Sequence, residues 1–168
     1  MIGAEYIKGG LMIHLVPMTE EQFAGYLRTA VQDYAQAHIK AGDCDPAEAL
    51  PKAQAEFKEL LPEGLQTKNH HLCMCHEDVL GEDIGMIWFS IKDALPVKPA
   101  YLFDFMIREE LRGKGYGRKA LARFEQMAYE MGIGKVSLNV FGWNHAARAL
   151  YEKMGYQITG IGMTKSLR

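Results

Sequence analysis

Apolar residues recur along the chain with two different periods, and the changes from one period to the other predict a series of helices and strands. A capping box, Thr19 followed three residues later by Gln22, opens the first helix, whose apolar residues keep helical spacing as far as Lys40. Asp45 and Pro46 open a second helix, with the carboxylate as cap and the proline at the first helical position. The first half of the chain is therefore expected to contain two consecutive helices.

Strand-like segments, bounded by turn residues, account for most of the remaining apolar positions. They are Leu11–Val16, His70–His76, Ile84–Ile91, Tyr101–Ile107, Lys135–Phe141 and Tyr156–Leu167, and the last is long enough for one or two strands. Helical spacing returns in Gly115–Met131 and Asn144–Met154. The predicted order of elements is β-α-α-β-β-β-α-β-α-β.

This order predicts an α/β (α+β) fold in one domain spanning residues 1–168. The strand–helix–strand alternation of the second half implies a parallel pair with a right-handed crossover, and the three consecutive middle strands should be antiparallel. We expect a mixed, mostly antiparallel sheet of about six to seven strands, with helices on both faces.

The composition is that of an ordinary globular protein, and it argues against several classes of function. Of 168 residues, 48% are hydrophobic and 24% are charged, and the net charge is −2, so binding to nucleic acid is not expected. No apolar run approaches the ~20 residues of a membrane span, and Met1–Gly10 lacks the pattern of a signal peptide. Three cysteines fit a reducing compartment. We therefore expect a cytoplasmic protein that does not bind a membrane.

The segment from Arg112 to Gly117 is the most informative part of the sequence, because three glycines alternate with other residues between a predicted strand and a predicted helix. Glycines let the backbone turn tightly and leave its N–H groups uncovered. A helix that begins there directs its free N–H groups and the positive end of its dipole at the same place. Lys114 and Arg118 add positive charge. The segment is typical of a site for a phosphate or pyrophosphate.

The spacing of these glycines argues against the common nucleotide-binding loops. A dinucleotide fingerprint requires a third glycine where this chain has Arg118, and the glycine loop of protein kinases fails for the same reason. The P-loop spacing, with four residues between a glycine and a Gly-Lys pair, is absent as well. What remains is an Arg-x-x-Gly-x-Gly pattern formed by Arg112, Gly115 and Gly117.

That pattern, together with a second one downstream, resembles the GCN5-related N-acetyltransferase (GNAT) superfamily, whose acyl-CoA loop has the pattern Gln/Arg-x-x-Gly-x-Gly/Ala. The second pattern is Asn-x-x-Ala-x-x-Leu-Tyr-x-x-x-Gly-Phe/Tyr, and it is matched here by Asn144, Ala147, Leu150, Tyr151, Gly155 and Tyr156. Both patterns occur in the order that the family shows. The chain is also similar, more weakly, to a group of uncharacterised bacillus-type acetyltransferases.

The resemblance implies that acetyl-CoA is the cosubstrate and that backbone N–H groups of the glycine segment bind its pyrophosphate. Carried over residue by residue, the set that binds acetyl-CoA is Met106, Ile107, Arg112, Gly113, Lys114, Gly115, Tyr116, Gly117, Arg118, Asn144 and Tyr151. In the family, the strand that ends in Met106 and Ile107 runs beside the pantetheine arm. A backbone N–H there can donate to the thioester oxygen as it becomes an oxyanion. The alternative is that these residues form only a glycine-rich turn and a core strand.

Tyr151 and Asp104 are the residues that the resemblance implies for catalysis. The Tyr151 hydroxyl would protonate the departing thiolate, and Asp104 would remove a proton from the amine, directly or through water. Asp104 interrupts an otherwise apolar strand, so we expect it to face a cleft. The alternatives are a tyrosine that only packs on the sheet and a carboxylate that orders a loop or attracts a cationic substrate.

Histidines and cysteines in the first middle strand raise the alternative of a metal site. His71, Cys73 and Cys75 would share one face of a strand, but Cys-x-Cys is not the usual zinc spacing and no second ligand pair occurs elsewhere. We therefore expect no metal and interpret the cysteines as small buried residues. His70 or His71 is an alternative base in an acceptor pocket.

We expect an N-acetyltransferase that moves an acetyl group from acetyl-CoA to a primary amine by direct attack in a ternary complex. The alternative is an acyl-CoA-binding sensor or regulatory module that does not catalyse. The acceptor would be the amine of a small molecule or peptide. Residues 19–65, which would supply its pocket by resemblance, are rich in acids, which would either suit a cationic acceptor or form solvated helix faces. If the chain associates with itself, a homodimer is expected.

Overall fold

Residues 12–92, 97–165 and 167 are described by the structure, a computed structural model of the 168-residue chain. They form β1 (Ile13–Pro17), α1 (Glu20–Ala41), α2 (Pro46–Leu60), β2 (His70–Glu77), β3 (Glu82–Ile91), β4 (Lys98–Ile107), α3 (Tyr116–Glu130), β5 (Ile133–Leu138) and α4 (His145–Lys153), with 3-10 turns at Gly64–Gln66 and Glu109–Leu111. The predicted order of elements is confirmed as far as α4. Leu11, the first residue of the first predicted strand, lies outside the described residues.

The two N-terminal helices begin where the sequence predicts, because their caps are local. The Thr19 hydroxyl accepts from the Gln22 N–H at 3.2 Å, and the Gln22 side chain accepts from the Thr19 N–H at 2.9 Å. The Asp45 carboxylate accepts from the Ala47 N–H at 2.8 Å at the start of α2. Between the helices, Gly42 ends α1 at a φ of 73°, a left-handed conformation that glycine adopts without strain.

The strands form one sheet in the order β1-β2-β3-β4-β5, so each strand lies beside the one that precedes it in the chain. β1 and β2 are antiparallel, as are β3 and β4. The sheet is mixed, and α3 supplies the connection between β4 and β5. The predicted α/β fold with a mixed sheet is confirmed.

The predicted count of six to seven strands is wrong, since the described residues form a five-stranded sheet. The missing strands are those expected in Tyr156–Leu167, where the described residues have no regular structure. Apolar residues there favour an extended chain, but a strand also needs a neighbouring backbone to bond with, and Gly160 and Gly162 weaken the local preference. Ile161 and Met163 of this segment are exposed.

The chain divides into two compact units. Of the described residues, the first contains 12–17, 71–92 and 97–137, and the second contains 18–70, 138–165 and 167. The core of the first unit is centred on β3, in which seven consecutive residues are buried. Phe89 of this strand packs on Phe124 of α3, with 4.9 Å between ring centroids. Continuous burial of this kind is typical of a central strand covered on both faces.

The second unit contains α1 and α2, which pack against each other through small residues. Ala35 of α1 and Ala49 and Ala53 of α2 are buried at the contact. Larger side chains, Val31 and Tyr34, surround these alanines and are half-buried. Small residues at the contact let the two helices approach closely.

Candidate active site

An irregularity in β4 lies at the position of the predicted catalytic carboxylate. Asp104 is paired with Trp88 of β3, whereas the next pair in the register joins Leu102 to Phe89, so Phe103 is an extra residue on β4. Such a β-bulge bends a strand and redirects the side chains beside it, and bulges are common next to active sites. The Phe103 ring stacks on the Trp88 ring with 4.6 Å between centroids. The half-buried Asp104 therefore directly follows a bulge.

The end of β4, where the resemblance places the thioester, approaches β3 closely. Gly85 of β3 is paired with Ile107, and its neighbour Met86 with Met106. The Met106 carbonyl oxygen occupies the space that a side chain at Gly85 would need. Met106 is 40% exposed whereas Ile107 is buried, so Met106 alone presents its side chain to solvent. The backbone at Met106 and Ile107 is extended and paired with β3.

The glycine segment after β4 has the backbone that its sequence predicts. Gly113 and Gly115 have φ values of 74° and 84°, in the left-handed region, and Gly117 is the second residue of α3. A Cβ built on Gly113 or Gly115 would meet no atom within 4 Å. α3 has no side-chain cap, and its first helical bond runs from the Lys119 N–H to the Gly115 carbonyl. The N–H groups of its first turn therefore have no side-chain cap.

Exposed cations surround this segment, and one of them also fixes its position. Lys114, Arg118 and Lys119 are exposed and form no ion pair within the described part of the chain. Arg112 donates its Nε–H to the Ile107 carbonyl oxygen at 2.9 Å, which ties the segment to the end of β4. The fixed charges and the positive end of the α3 dipole both favour an anion here.

The second unit carries the other two predicted residues, both associated with α4. The Asn144 Oδ1 accepts from the Ala147 N–H at 3.2 Å and so caps the helix, as its position predicts. Tyr151 is half-buried, and its ring meets that of Tyr156 edge-on with 5.5 Å between centroids. Asn144 therefore caps the short helix that contains Tyr151, whereas Asp104 and the glycine segment belong to the first unit.

Cys73, Cys75 and His71 of β2 are packing residues, whereas His76 Nδ1 lies 3.0 Å from Asp83 Oδ1. Burial raises the pKa of Cys73 to about 11 and that of Cys75 to about 12, so both are thiols at neutral pH. The His71 ring stacks on Phe89 with 4.9 Å between centroids, and burial lowers the pKa of His71, which favours the neutral ring. Across residues 12–92, 97–165 and 167, no group of three or more His, Cys, Asp or Glu is placed to hold a metal ion.

A histidine–aspartate pair that the sequence analysis missed lies at the C-terminal end of α1. His38 Nδ1 lies 2.9 Å from Asp43 Oδ1, and Nε2 of the same ring is buried with no hydrogen-bond partner. The left-handed turn at Gly42 reverses the chain and brings Asp43 back beside the last turn of the helix. The glycine cap is visible in the sequence, but no sequence signal marks the pairing of the two side chains.

Comparison with known proteins decides the family. The model of the acetyltransferase (GNAT) family matches residues 33–156. The chain belongs to the GNAT family. The uncharacterized N-acetyltransferase YycN of Bacillus subtilis is 39% identical over 160 residues, which are 94% of this chain and 100% of that protein. The uncharacterized N-acetyltransferase YdgE of the same organism is 35% identical over 153 residues, 91% of this chain and 97% of that protein.

The crystal structure of YycN has the same GNAT fold. It matches with a TM-score of 0.89 and 39% identity, covering 94% of this chain and 99% of that chain. The predicted resemblance to GNAT proteins, and to bacillus-type acetyltransferases in particular, is confirmed. Among the described residues, no helix of this GNAT protein has the length and apolar character needed to cross a membrane.

Proposed function

We propose that this GNAT protein transfers an acetyl group from acetyl-CoA to a primary amine, which attacks the thioester directly while both substrates are bound. The observation that carries the proposal is the segment from Gly113 to Arg118, with two left-handed glycines, open space beside them and an uncapped helix start. A pyrophosphate is the part of CoA that such a segment suits. Membership of an acetyltransferase family supports the same reaction.

The proposed donor site relies on backbone more than on side chains. The N–H groups that bind the pyrophosphate in this proposal belong to Gly113, Lys114, Gly115, Tyr116, Gly117 and Arg118. The hydrogen bond from Arg112 to the Ile107 carbonyl supports the proposal, because it sets the position of that segment against the end of β4. Met106 and Ile107 would then lie along the pantetheine arm, and Asn144 would contact the same arm.

The proposed reaction assigns a separate task to each of three groups. Asp104, directly or through water, takes a proton from the amine, and its half-buried place beside a bulge supports that assignment. A backbone N–H at Met106 or Ile107 donates to the oxyanion that forms when the amine attacks; one such donor is worth about 2.7–4 kcal/mol in other acyl-transfer enzymes. Tyr151 gives its proton to the thiolate as the carbon–sulfur bond breaks.

The names of two further relatives indicate which class of acceptor amine to propose. The L-ornithine N5-acetyltransferase of Arabidopsis thaliana is 38% identical over 58 residues, 34% of this chain and 25% of that protein. The thialysine N-epsilon-acetyltransferase of Bos taurus is 35% identical over 73 residues, 44% of this chain and 42% of that protein. Both names specify a nitrogen of an amino acid as the acceptor. We propose a small molecule with a side-chain amine of this kind as the acceptor to test first.

Release of the CoA thiol from acetyl-CoA, measured against a panel of amines, tests the proposal. The panel contains L-ornithine, thialysine, L-lysine, a polyamine, an aminoglycoside and a lysine-containing peptide. We expect turnover with at least one of them. Tight CoA binding by calorimetry without turnover of any amine would indicate an acyl-CoA sensor instead. Absence of CoA binding would overturn both functions.

A further inference from the structure

Two histidines lie directly opposite each other on the first two strands of the sheet, within the first unit. His14 of β1 and His76 of β2 are partners in the antiparallel register. Residues paired in this way share one face of a sheet, with Cβ atoms about 4.5–5.5 Å apart. The neighbours of His76 in the chain, Cys75 and Glu77, are buried on the other face, whereas the His14 and His76 side chains are 48% and 36% exposed. The histidine pair is therefore open to solvent.

Each of the two imidazole rings is held by its own carboxylate. His14 Nε2 lies 2.9 Å from Asp78 Oδ2, and His76 Nδ1 lies 3.0 Å from Asp83 Oδ1. Asp78 directly follows β2, and its N–H donates to the Met12 carbonyl at 3.1 Å, so the pairing with β1 extends to it. Asp83 belongs to β3. Three neighbouring strands thus supply two histidine–carboxylate pairs.

The carboxylates determine which ring nitrogens are available for a ligand. An ionised carboxylate only accepts hydrogen bonds, so the ring nitrogen beside it carries the proton. In the neutral rings the lone pairs are then on His14 Nδ1 and His76 Nε2. Neither nitrogen makes a hydrogen bond to any other part of the chain that the structure describes. Two lone pairs cannot bond to each other, whereas one metal ion can accept both.

This arrangement of imidazole and carboxylate is the one found around bound metals. A histidine that ligates a metal usually donates its other ring N–H to a carboxylate, which fixes the tautomer and makes the ligand more basic. Here His14 and His76 both have that partner. Zinc–nitrogen bonds of about 2.0–2.1 Å place two nitrogens of a tetrahedral ion about 3.3 Å apart. Rings on directly opposite residues of adjacent strands can span this separation.

The charges around the two rings suit a divalent cation. The carboxylates of Asp78 and Asp83 together balance two positive charges. Arg108 approaches this region and donates to the Asp83 carbonyl oxygen at 3.1 Å, but its own charge is balanced by ion pairs with Glu82 and Glu110. The local field therefore remains negative and favours a cation.

We propose that His14 Nδ1 and His76 Nε2 bind a divalent transition-metal ion of the zinc and nickel class, with water completing its coordination. Asp78 and Asp83 are positioning residues that hold the two rings. With two protein ligands, the site differs from the groups of three or more that are absent from the described ranges. The ion would join the edge strand β1 to β2 and so stabilise the fold. Sequence spacing does not reveal the pair, because only the register brings the two histidines together.

Calorimetric titration of the full chain with Zn²⁺, and separately with Ni²⁺, Mg²⁺ and Ca²⁺, tests the inference. We expect one Zn²⁺ or Ni²⁺ per chain and no binding of Mg²⁺ or Ca²⁺, which prefer oxygen ligands. Asp78→Asn and Asp83→Asn should weaken zinc binding about 10-fold or more, the usual cost of losing an outer carboxylate. His14→Gln and His76→Gln remove a ligand and should weaken it about 100-fold or more. His145→Gln, at an exposed histidine of α4, is the control and should bind as the wild type does.

Two further readouts separate a metal site from a merely structural role of the rings. Paramagnetic Ni²⁺ should broaden the NMR signals of the His14 and His76 imidazoles together and before those of His145. Zn²⁺ at about 100 times its Kd should raise Tm by roughly 5–10 °C in the wild type and in His145→Gln, but not in His14→Gln.

Three results would overturn the inference. They are equal zinc affinity in His14→Gln and His145→Gln, broadening of only one or neither of the His14 and His76 rings, and binding of Mg²⁺ or Ca²⁺ as tight as that of Zn²⁺. All of these measurements are made without acetyl-CoA or an amine, so their failure leaves the proposed acetyl transfer unaffected.

Discussion

Gly85 is paired with Ile107 and lies so close to β4 that a Cβ on Gly85 would lie 2.0 Å from the carbonyl oxygen of the preceding residue, Met106. The same Cβ would lie 3.0 Å from the Ile107 Cα, so the obstacle on both sides is backbone. Backbone in a paired strand has no rotamer through which to move away. The glycine therefore holds the end of β4 in the position from which the proposed oxyanion donor acts.

We expect Gly85→Ala to lower the free energy of unfolding by about 1–3 kcal/mol, the usual range for overpacking. The variant should also bind CoA more weakly, because β4 must shift at Met106 and Ile107. Denaturant unfolding and a calorimetric CoA titration measure the two effects. Gly162→Ala is the control, since its Cβ would meet no atom within 4 Å and its φ lies outside the left-handed region. Equal stability of the two variants would contradict the prediction.

Gly115→Ala tests whether the proposed phosphate site needs a glycine for its backbone conformation or for the space that it leaves open. Its φ of 84° strains any other residue by roughly 1–2 kcal/mol, and its Cβ would enter the open space where the pyrophosphate is proposed to lie. We expect KM for acetyl-CoA to rise about 10-fold or more. Gly81→Ala, at a φ of 66° and equally open, should be destabilised to a similar degree with unchanged KM. A KM that rises equally in both variants would show that strain alone is responsible.

Features set by local sequence could be predicted, and features set by distant neighbours could not. The cap at Thr19 and the left-handed backbone at Gly113 and Gly115 depend on a few adjacent residues, so the sequence contains all of their causes. The absent strand after Tyr156 and the bulge at Phe103 depend on what another strand offers as a partner. A single sequence carries no record of that pairing.

The same distinction between local and distant causes explains which residues of the candidate site could be predicted from the sequence. Asp104 stands out because a carboxylate is unexpected in an apolar strand, and it is half-buried beside a bulge. His38 does not stand out, because one histidine in an amphipathic helix is unremarkable. Its pairing comes from the turn at Gly42 that returns Asp43 to it, and the Phe141 ring packs edge-on against it. Both are properties of the folded chain.

The thiols of β2 should react much more slowly than that of Cys44. Burial raises the pKa of Cys73 to about 11 and of Cys75 to about 12, whereas Cys44 is half-exposed. At pH 8, iodoacetamide should alkylate Cys44 first, and mass spectrometry of the peptides measures the order. All three should react alike in denaturant, where an ordinary thiol has a pKa of about 8.5. Labelling of Cys73 or Cys75 as fast as Cys44 in the folded protein would refute this.

The same pKa values predict a loss of stability in alkali. Because the folded state holds the protons of Cys73 and Cys75 more tightly than the unfolded state, their contribution is complete below the unfolded thiol pKa of about 8.5. It is lost as the pH rises from there towards about 11 to 12. Urea unfolding between pH 8 and 11 should show this decline, and Cys75→Ala should reduce its slope. An identical slope in that variant would rule out Cys75 as its source.

Tyr151→Phe tests the proposed acid directly, because it removes the hydroxyl and keeps the ring that packs on Tyr156. A CoA thiolate is a fair leaving group, so we expect kcat to fall by about 10- to 100-fold, at or below the lower end of general acid catalysis. KM for acetyl-CoA should change little, since the hydroxyl acts mainly as the carbon–sulfur bond breaks. Tyr156→Phe is the matched control, because the family pattern accepts either residue at that position. A kcat that is equal in the two variants would exclude Tyr151 as the proton donor and leave that step to water.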